Sequence, residues 1–226
     1  MEIVEAAVAV EQMTVTVMEA VENNSLNLVW SDLDLELKAY AKEHHVPIIV
    51  DEGLALLEQI IRISKPKHIL EIGTAIGYSA SRMARVCGSH ITTIERNPEM
   101  IEKALDTFKR SGYENQIRLI DCDALEAFEL VKDTAFDLIF IDAAKAQYQK
   151  FFELYTPLLT ANGIVVSDNM SFHGLVHQEN NESQSRSVRG LIRKLTNYQD
   201  FLLKHPNYDT SIFELGDGVA ISVKKD

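Results

Sequence analysis

A doubly wound α/β sheet, preceded by helices and closed by an antiparallel hairpin, is the fold class this sequence predicts. Three observations carry it. Between Pro66 and Ser167 short apolar runs alternate with amphipathic stretches of helical period, the pattern of a parallel sheet covered on both faces. After Arg186 one long helical stretch leads into two strand-like runs joined around Gly216-Asp217-Gly218, which is a hairpin signal. Before Pro66 every apolar pattern is helical. The 226 residues suit one large domain, since about 100–200 residues is usual. Its expected parts are an N-terminal helical extension over 1–65 and a core over 66–226.

In order, residues 3–21 place Ile3, Ala7, Val10, Met13, Val17 and Val21 at helical spacing, though valine and threonine weaken the propensity. The next helix is better marked. Ser31 or Asp32 can cap it, and Leu33, Leu37, Tyr40 and Ala41 form its stripe before Pro47. His44 and His45 fall at its end, where imidazole suits the helix dipole. A third helix from about Asp51 carries Leu56, Leu57, Ile60 and Ile61 on one face and stops before Pro66. Strands are predicted at His68–Ile72, Ile91–Ile94, Ile117–Ile120, Phe136–Ile141 and Gly163–Ser167. Helices are predicted at Tyr78–Val86, Pro98–Arg110, near Leu125–Lys132 and at Gln147–Leu159, with Pro98 suited to a first turn. The last elements are a helix from Arg186 to about Lys204 and strands Thr210–Glu214 and Val219–Val223. The polar run Gln178–Ser187 reads as a loop.

Composition removes several classes of protein. Hydrophobic residues at 46% and charged ones at 25% are globular values and exclude wholesale disorder. No apolar run approaches the roughly 20 residues that span a bilayer. Val4–Val21 is greasy, but Glu5, Glu11 and Glu19 interrupt it and no basic stretch precedes it, so a secretory signal is not expected. Cys87 and Cys122 lie in no CxxC or Cys/His cluster, and a reducing cytoplasm is the expected location. The net charge of −12 is unevenly spread: residues 1–60 hold twelve acids against Lys38 and Lys42 alone. The rest of the chain is nearly neutral.

Chemistry concentrates at the strand ends. Glu71-Ile72-Gly73-Thr74-Ala75-Ile76-Gly77-Tyr78-Ser79 joins a strand to a helix, where glycine lets backbone approach a ligand and free amides suit polar groups. Only two glycines, four apart, poorly support a dinucleotide pyrophosphate site. Glu95 closes the next strand and can accept ribose hydroxyls. Asp121-Cys122-Asp123-Ala124 closes the third, where an adenine edge could lie. Asp142, with Lys145 just beyond it, ends the fourth, and Asp168-Asn169 the fifth. Neighbouring strands lie about 4.8 Å apart, so Asp142, Asp168 and Asn169 can converge. Three hard oxygen ligands favour Mg²⁺, Mn²⁺ or Ca²⁺. Singly, each is as well explained as a strand-end turn residue. His173 and His177 are spaced for zinc but lack a third ligand in register.

Taken together, these motifs resemble the divalent-metal-dependent O-methyltransferases of the catechol and caffeoyl-CoA type, over roughly Asp32 to the C-terminus. Ala41–Ile49 and Tyr208–Ser222 are most similar to the bacterial branch that methylates 5-hydroxyuridine in the tRNA anticodon. The resemblance implies a Rossmann-like methyltransferase sheet with S-adenosylmethionine over Gly73, Ala75, Gly77, Tyr78 and Ser79. It implies ribose on Glu95, adenine near Asp123 and Ala124, and further contacts from Ile48 and Asp142. By the same resemblance Asp142, Asp168 and Asn169 hold the metal, with Asp142 also catalytic, and Lys145 is the candidate base. A homodimer is expected on the same ground.

The expected function is therefore metal-assisted methylation of tRNA 5-hydroxyuridine to 5-methoxyuridine. Arg186, Arg189, Arg193 and Lys194 share a helical face that could meet phosphates of an anticodon arm, or could simply be solvated. Phe172 could stack an unpaired base or merely pack. The alternatives are methylation of a small catechol-like or caffeoyl-CoA-like phenol, and a non-catalytic S-adenosylmethionine- or RNA-binding module.

Overall fold

The structure is a computed structural model, and residues 28–171 and 186–225 are described. The helix expected over 3–21, Phe172, His173, His177 and most of the loop Gln178–Ser187 lie outside the described residues. Helices α1 (Asp32–His44) and α2 (Asp51–Ser64) precede the sheet. The core then runs β1 (His68–Ile72), α3 (Tyr78–Cys87), β2 (His90–Glu95), α4 (Pro98–Ser111), β3 (Ile117–Asp121), β4 (Phe136–Ile141), α5 (Tyr148–Tyr155) and β5 (Leu159–Ser167). It ends with α6 (Arg186–Leu203), β6 (Tyr208–Phe213) and β7 (Val219–Lys224).

The seven strands form one sheet in the order β3-β2-β1-β4-β5-β7-β6. β1 to β5 pair in parallel, whereas β7 runs antiparallel to both β5 and β6. The parallel strands bury both faces by their period of two. Ile69 and Leu138 face a layer built from α1 to α4, while Leu70 and Ile139 face α5 and α6. The strand order reverses at β1/β4, and the carboxyl ends beside such a reversal are where open α/β sheets bind ligands.

The N-terminal helices are seated by polar chemistry as well as apolar contact. Ser31 caps α1, with its side chain accepting from Asp34 N and its own N–H donating to Asp34 Oδ2, a reciprocal capping box. Arg82 of α3, 1% exposed, donates to Glu58 at 2.7 Å, Asp34 at 3.1 Å and the Val29 carbonyl at 2.9 Å. Arg85 adds a 2.8 Å bond to Asp34. Acids of the first quarter are thus matched by bases from the core and from α1: Glu36 pairs with Arg110, and Asp51 with Lys38. Among the described residues, Asp34, Glu36, Asp51 and Glu58 of the acidic first quarter are thus paired with bases.

Two sequence expectations need correction. The stretch Leu125–Lys132 is not an α-helix; only a 3₁₀ turn at Ala127–Leu130 forms. The Ala124 carbonyl, which an α-helix would offer to the amide four residues on, instead accepts from Tyr155 Oη at 2.6 Å. β5 begins at Leu159 rather than Gly163, because Asn162 turns through a left-handed conformation (φ 59°) and the register with β4 shifts there. Among the described residues no helix is long and apolar enough to cross a membrane.

Candidate active site at the carboxyl edge of the sheet

A cleft of about 710 Å³ opens at the carboxyl ends of β1, β2 and β4. Ile48, Gly73, Ala75, Tyr78, Ser79, Glu95, Asp142, Lys145 and Asn169 line it, and so do Met100 of α4 and Leu191 of α6. Residues that the sequence scatters over more than a hundred positions therefore share one cavity, because successive parallel strands deliver their ends to one edge.

The turn after β1 forms one wall. Gly73 sits at φ 102°, and a Cβ there would run into the Asp142 carbonyl, so the turn can press against the tip of β4 only as glycine. Gly77 caps α3 and packs on Phe108, outside the cleft lining. Glu95 is already engaged: its Oε2 accepts from Ala75 N at 3.0 Å and its Oε1 from the amides of Arg96 and Asn97, each at 2.9 Å. A carboxylate has about four acceptor positions, so the loops are bonded to it while capacity for a ligand remains. Asp123 pairs with Arg96 at 2.6 Å and, like Ala124, does not line the cleft.

Beneath this wall lies a group to which sequence reasoning assigned no role. Glu71 is fully buried and accepts from Ser79 Oγ and Thr93 Oγ1, both at 2.5 Å; the Thr93 hydroxyl is in turn hydrogen-bonded to that of Thr74 at 2.6 Å. Burial, with lesser repulsion from Asp142 and Glu95, pushes its carboxyl up to about 8 despite the two hydroxyls. The available signal was an acid inside an otherwise apolar strand.

The second wall holds the acids of β4 and β5. Asn169, at φ 60°, directs Nδ2 to Asp142 Oδ1 (3.2 Å) and Asp168 Oδ2 (3.0 Å), while its Oδ1 accepts from Lys145 Nζ at 2.9 Å. Asp168 is 1% exposed, and its Oδ1 has no hydrogen-bond partner. Burial raises the Asp142 carboxyl to about 6, and burial with repulsion from Asp142 holds Asp168 well above its ordinary value. Burial also depresses Lys145, against the pull of Asp142, Asp217 and Asp168. Among the described residues no cluster of three or more His, Cys, Asp or Glu side chains stands at metal-ligating spacing; the candidate set is two carboxylates and an amide. On α6, Leu191 reaches the cavity, while Arg189, Arg193 and Lys194 are exposed and do not line it; the Arg186 side chain lies outside the described ones.

A family model described as O-methyltransferase matches residues 31–225. The chain is similar to a Staphylococcus aureus protein whose crystal structure carries a provisional caffeoyl-CoA O-methyltransferase assignment, with 42% identity, a TM-score of 0.83, and 93% of this chain and 99% of that one covered. A provisionally assigned caffeoyl-CoA O-methyltransferase of Arabidopsis thaliana is 30% identical over 189 residues, 82% of this chain and 81% of that one. The SAH-bound methyltransferase PaMTH1 of Podospora anserina superposes with a TM-score of 0.77 at 26% identity, covering 96% of each chain.

Proposed function

The chain belongs to the O-methyltransferase family, and on that premise we propose that it methylates 5-hydroxyuridine of a tRNA anticodon with S-adenosylmethionine as donor and a divalent cation as aid. The observation that carries the chemistry is the convergence of Asp142, Asn169 and Lys145 on the cleft that the Gly73–Ser79 turn walls, with Asp168 buried and bonded to Asn169. The SAH bound to the Podospora relative supports the donor. Ala75, Tyr78 and Ser79 would hold it against the turn, and Glu95 would take its ribose.

The donor set suits a hard cation such as Mg²⁺: two carboxylates and an amide, no sulfur, and one buried carboxylate oxygen without a partner. Asp142, Asp168 and Asn169 would hold such an ion, which would supply Lewis acidity toward the acceptor hydroxyl and its neighbouring oxygen. Lys145, eased toward its neutral form by burial, takes the hydroxyl proton. The cleft walls hold the resulting oxyanion in line with the sulfonium methyl. A carbon–oxygen bond forms as the carbon–sulfur bond breaks, and S-adenosylhomocysteine leaves.

The RNA assignment draws on exposed Arg189, Arg193 and Lys194 on the helix that borders the cleft, since affinity for nucleic acid rests largely on phosphate contacts. A second reading, transfer to a small catechol-like phenol, is favoured by the names of the relatives. Both acceptors offer two adjacent oxygens. The deciding experiment supplies radiolabelled donor with hydroxylated tRNA, with a catechol, or with caffeoyl-CoA. Label is expected in 5-methoxyuridine; label in the phenols alone overturns the RNA assignment, and label in none removes the activity. The same reading carries a cytoplasmic homodimer, which light scattering and cell fractionation test.

A further inference from the structure

Gly53 is the third residue of α2 and is buried, in a place where glycine does the helix no service. A Cβ there would stand 3.3 Å from Asp168 Oδ1 and 3.3 Å from Ile49 Cγ1, so tight that a neighbour would have to give by a few tenths of an ångström. From the other side comes the turn between β6 and β7. A Cβ on Gly216, which has φ 56°, would fall 2.5 Å from Val50 Cγ2 and 3.6 Å from Gly53 N. Ser171 N and Met170 N bond that turn to the chain just past β5, donating to the carbonyls of Asp217 and Gly218. The first turn of α2 is thus pressed between the tip of β5 and the β6–β7 turn, and a glycine permits each approach.

Gly53 faces an enclosed oxygen. Asp168 is 1% exposed; its Oδ2 accepts from Asn169 at 3.0 Å, and its Oδ1 has no hydrogen-bond partner. Neither neighbour of Gly53 yields easily. Ile49 is packed in the core at 3% exposure, and the Asp168 carboxylate is tied at its other oxygen. A methyl at residue 53 would therefore take from Asp168 the room to turn. Ions differ in how much that matters. Mg²⁺ demands near-octahedral geometry at about 2.0–2.1 Å, whereas Ca²⁺ accepts a looser shell at about 2.3–2.6 Å.

We infer that Gly53 is a positioning residue of the cation site. Its missing side chain gives Asp168 Oδ1 the freedom to meet an exacting ion, and so favours Mg²⁺ over the more tolerant Ca²⁺. This rests on the cation reading above but adds to it, because α2 then belongs to the site through a residue that ligates nothing. The plain alternative is that glycine only makes room for Ile49. Packing alone would not discriminate between ions, so selectivity separates the two.

The test is Mn²⁺ binding to the whole chain, read from the electron paramagnetic resonance of the free ion, with Mg²⁺ and Ca²⁺ as competitors. Thermal unfolding in chelator runs in parallel. Gly53→Ala is expected to melt within about 4 °C of wild type. Its Mg²⁺ affinity should fall about tenfold, the scale of disturbing a ligand's outer contacts, and its Ca²⁺ affinity clearly less. Should that variant misfold, Gly53→Ala with Ile49→Val, which frees space on the apolar side, takes its place under the same expectations; failure of both to fold assigns Gly53 to packing and overturns the inference. Affinities for Mg²⁺ and Ca²⁺ that are unchanged, or lowered equally, while Asp168→Asn loses both ions, overturn this inference alone. Wild type binding neither ion more tightly than Asp168→Asn overturns the cation site and the inference together.

Discussion

Two groups of buried carboxylates flank the Gly73–Ser79 turn in the chain, Asp34 and Glu58 on α1 and α2 and Asp142 and Asp168 at the tips of β4 and β5, and the protein treats them oppositely. Under the helices, Asp34 and Glu58 are met by the guanidinium of Arg82, by Arg85 or Arg62, and by backbone. Although burial works to raise Asp34, the Ser31 amide and Arg85 hold it below its ordinary value. At the strand tips, among the described residues, no arginine bonds to Asp142 or Asp168. Asp142 and Asp168 share one amide, a single lysine stands behind it, and one oxygen is left bare. A satisfied buried charge fastens structure together, whereas an unsatisfied one is kept at a cost that folding alone would not retain. The difference separates the fastening of the molecule from its site.

The sharpest way to break this comparison is to neutralise the strand-tip acids. Asp168→Asn is isosteric and removes a repulsive buried charge, so equilibrium unfolding should show unchanged or greater stability. Methyl transfer should meanwhile fall roughly a thousandfold, several kcal/mol of lost transition-state stabilisation. Loss of folding instead of activity would place these acids with the structural group. The converse variant is Arg82→Met. Removing the buried partner of this ion network leaves Glu58 and Asp34 with only the more exposed Arg62 and Arg85, and is expected to cost about 3–5 kcal/mol in denaturant unfolding. A variant as stable as wild type would show that the apolar contacts of α1 and α2 suffice.

Glu71 sharpens the comparison, being buried with hydroxyls in place of arginine. Its folded pKa, about 8, lies above the ordinary 4.5, so the folded state keeps a proton that the unfolded chain releases. The stability it contributes is full below pH 4.5 and is lost as pH rises toward 8, by at most about 1.4 kcal/mol per pH unit. Glu71→Gln should flatten that slope between pH 5 and 8. A slope identical to wild type would mean that Glu71 ionises normally.

How much of this was open to a reader of the sequence follows from the range of each interaction. Parallel strands announce themselves by apolar runs between helical patterns, and their carboxyl ends must lie on one edge, so Asp142, Lys145, Asp168, Asn169 and Glu95 could be gathered before any coordinates. The Leu125–Lys132 stretch misled because its periodicity is local while the Tyr155 hydroxyl that claims the Ala124 carbonyl lies 31 residues away. The role of Glu71 was hidden for a similar reason: its two hydroxyl partners come from α3 and β2.

Sequence alone thus settled the alternation of elements, the terminal hairpin and the edge at which chemistry gathers, because those follow from periodicity and from strand direction. Folding in three dimensions decided the rest. Arg82 finds acids 24 and 48 positions away, Asp168 Oδ1 is left without a hydrogen-bond partner, and the Gly216–Gly218 turn is wedged against the segment that follows β5. Pairings of this kind depend on which side chains are enclosed together, and enclosure is a property of packed layers that no local pattern encodes.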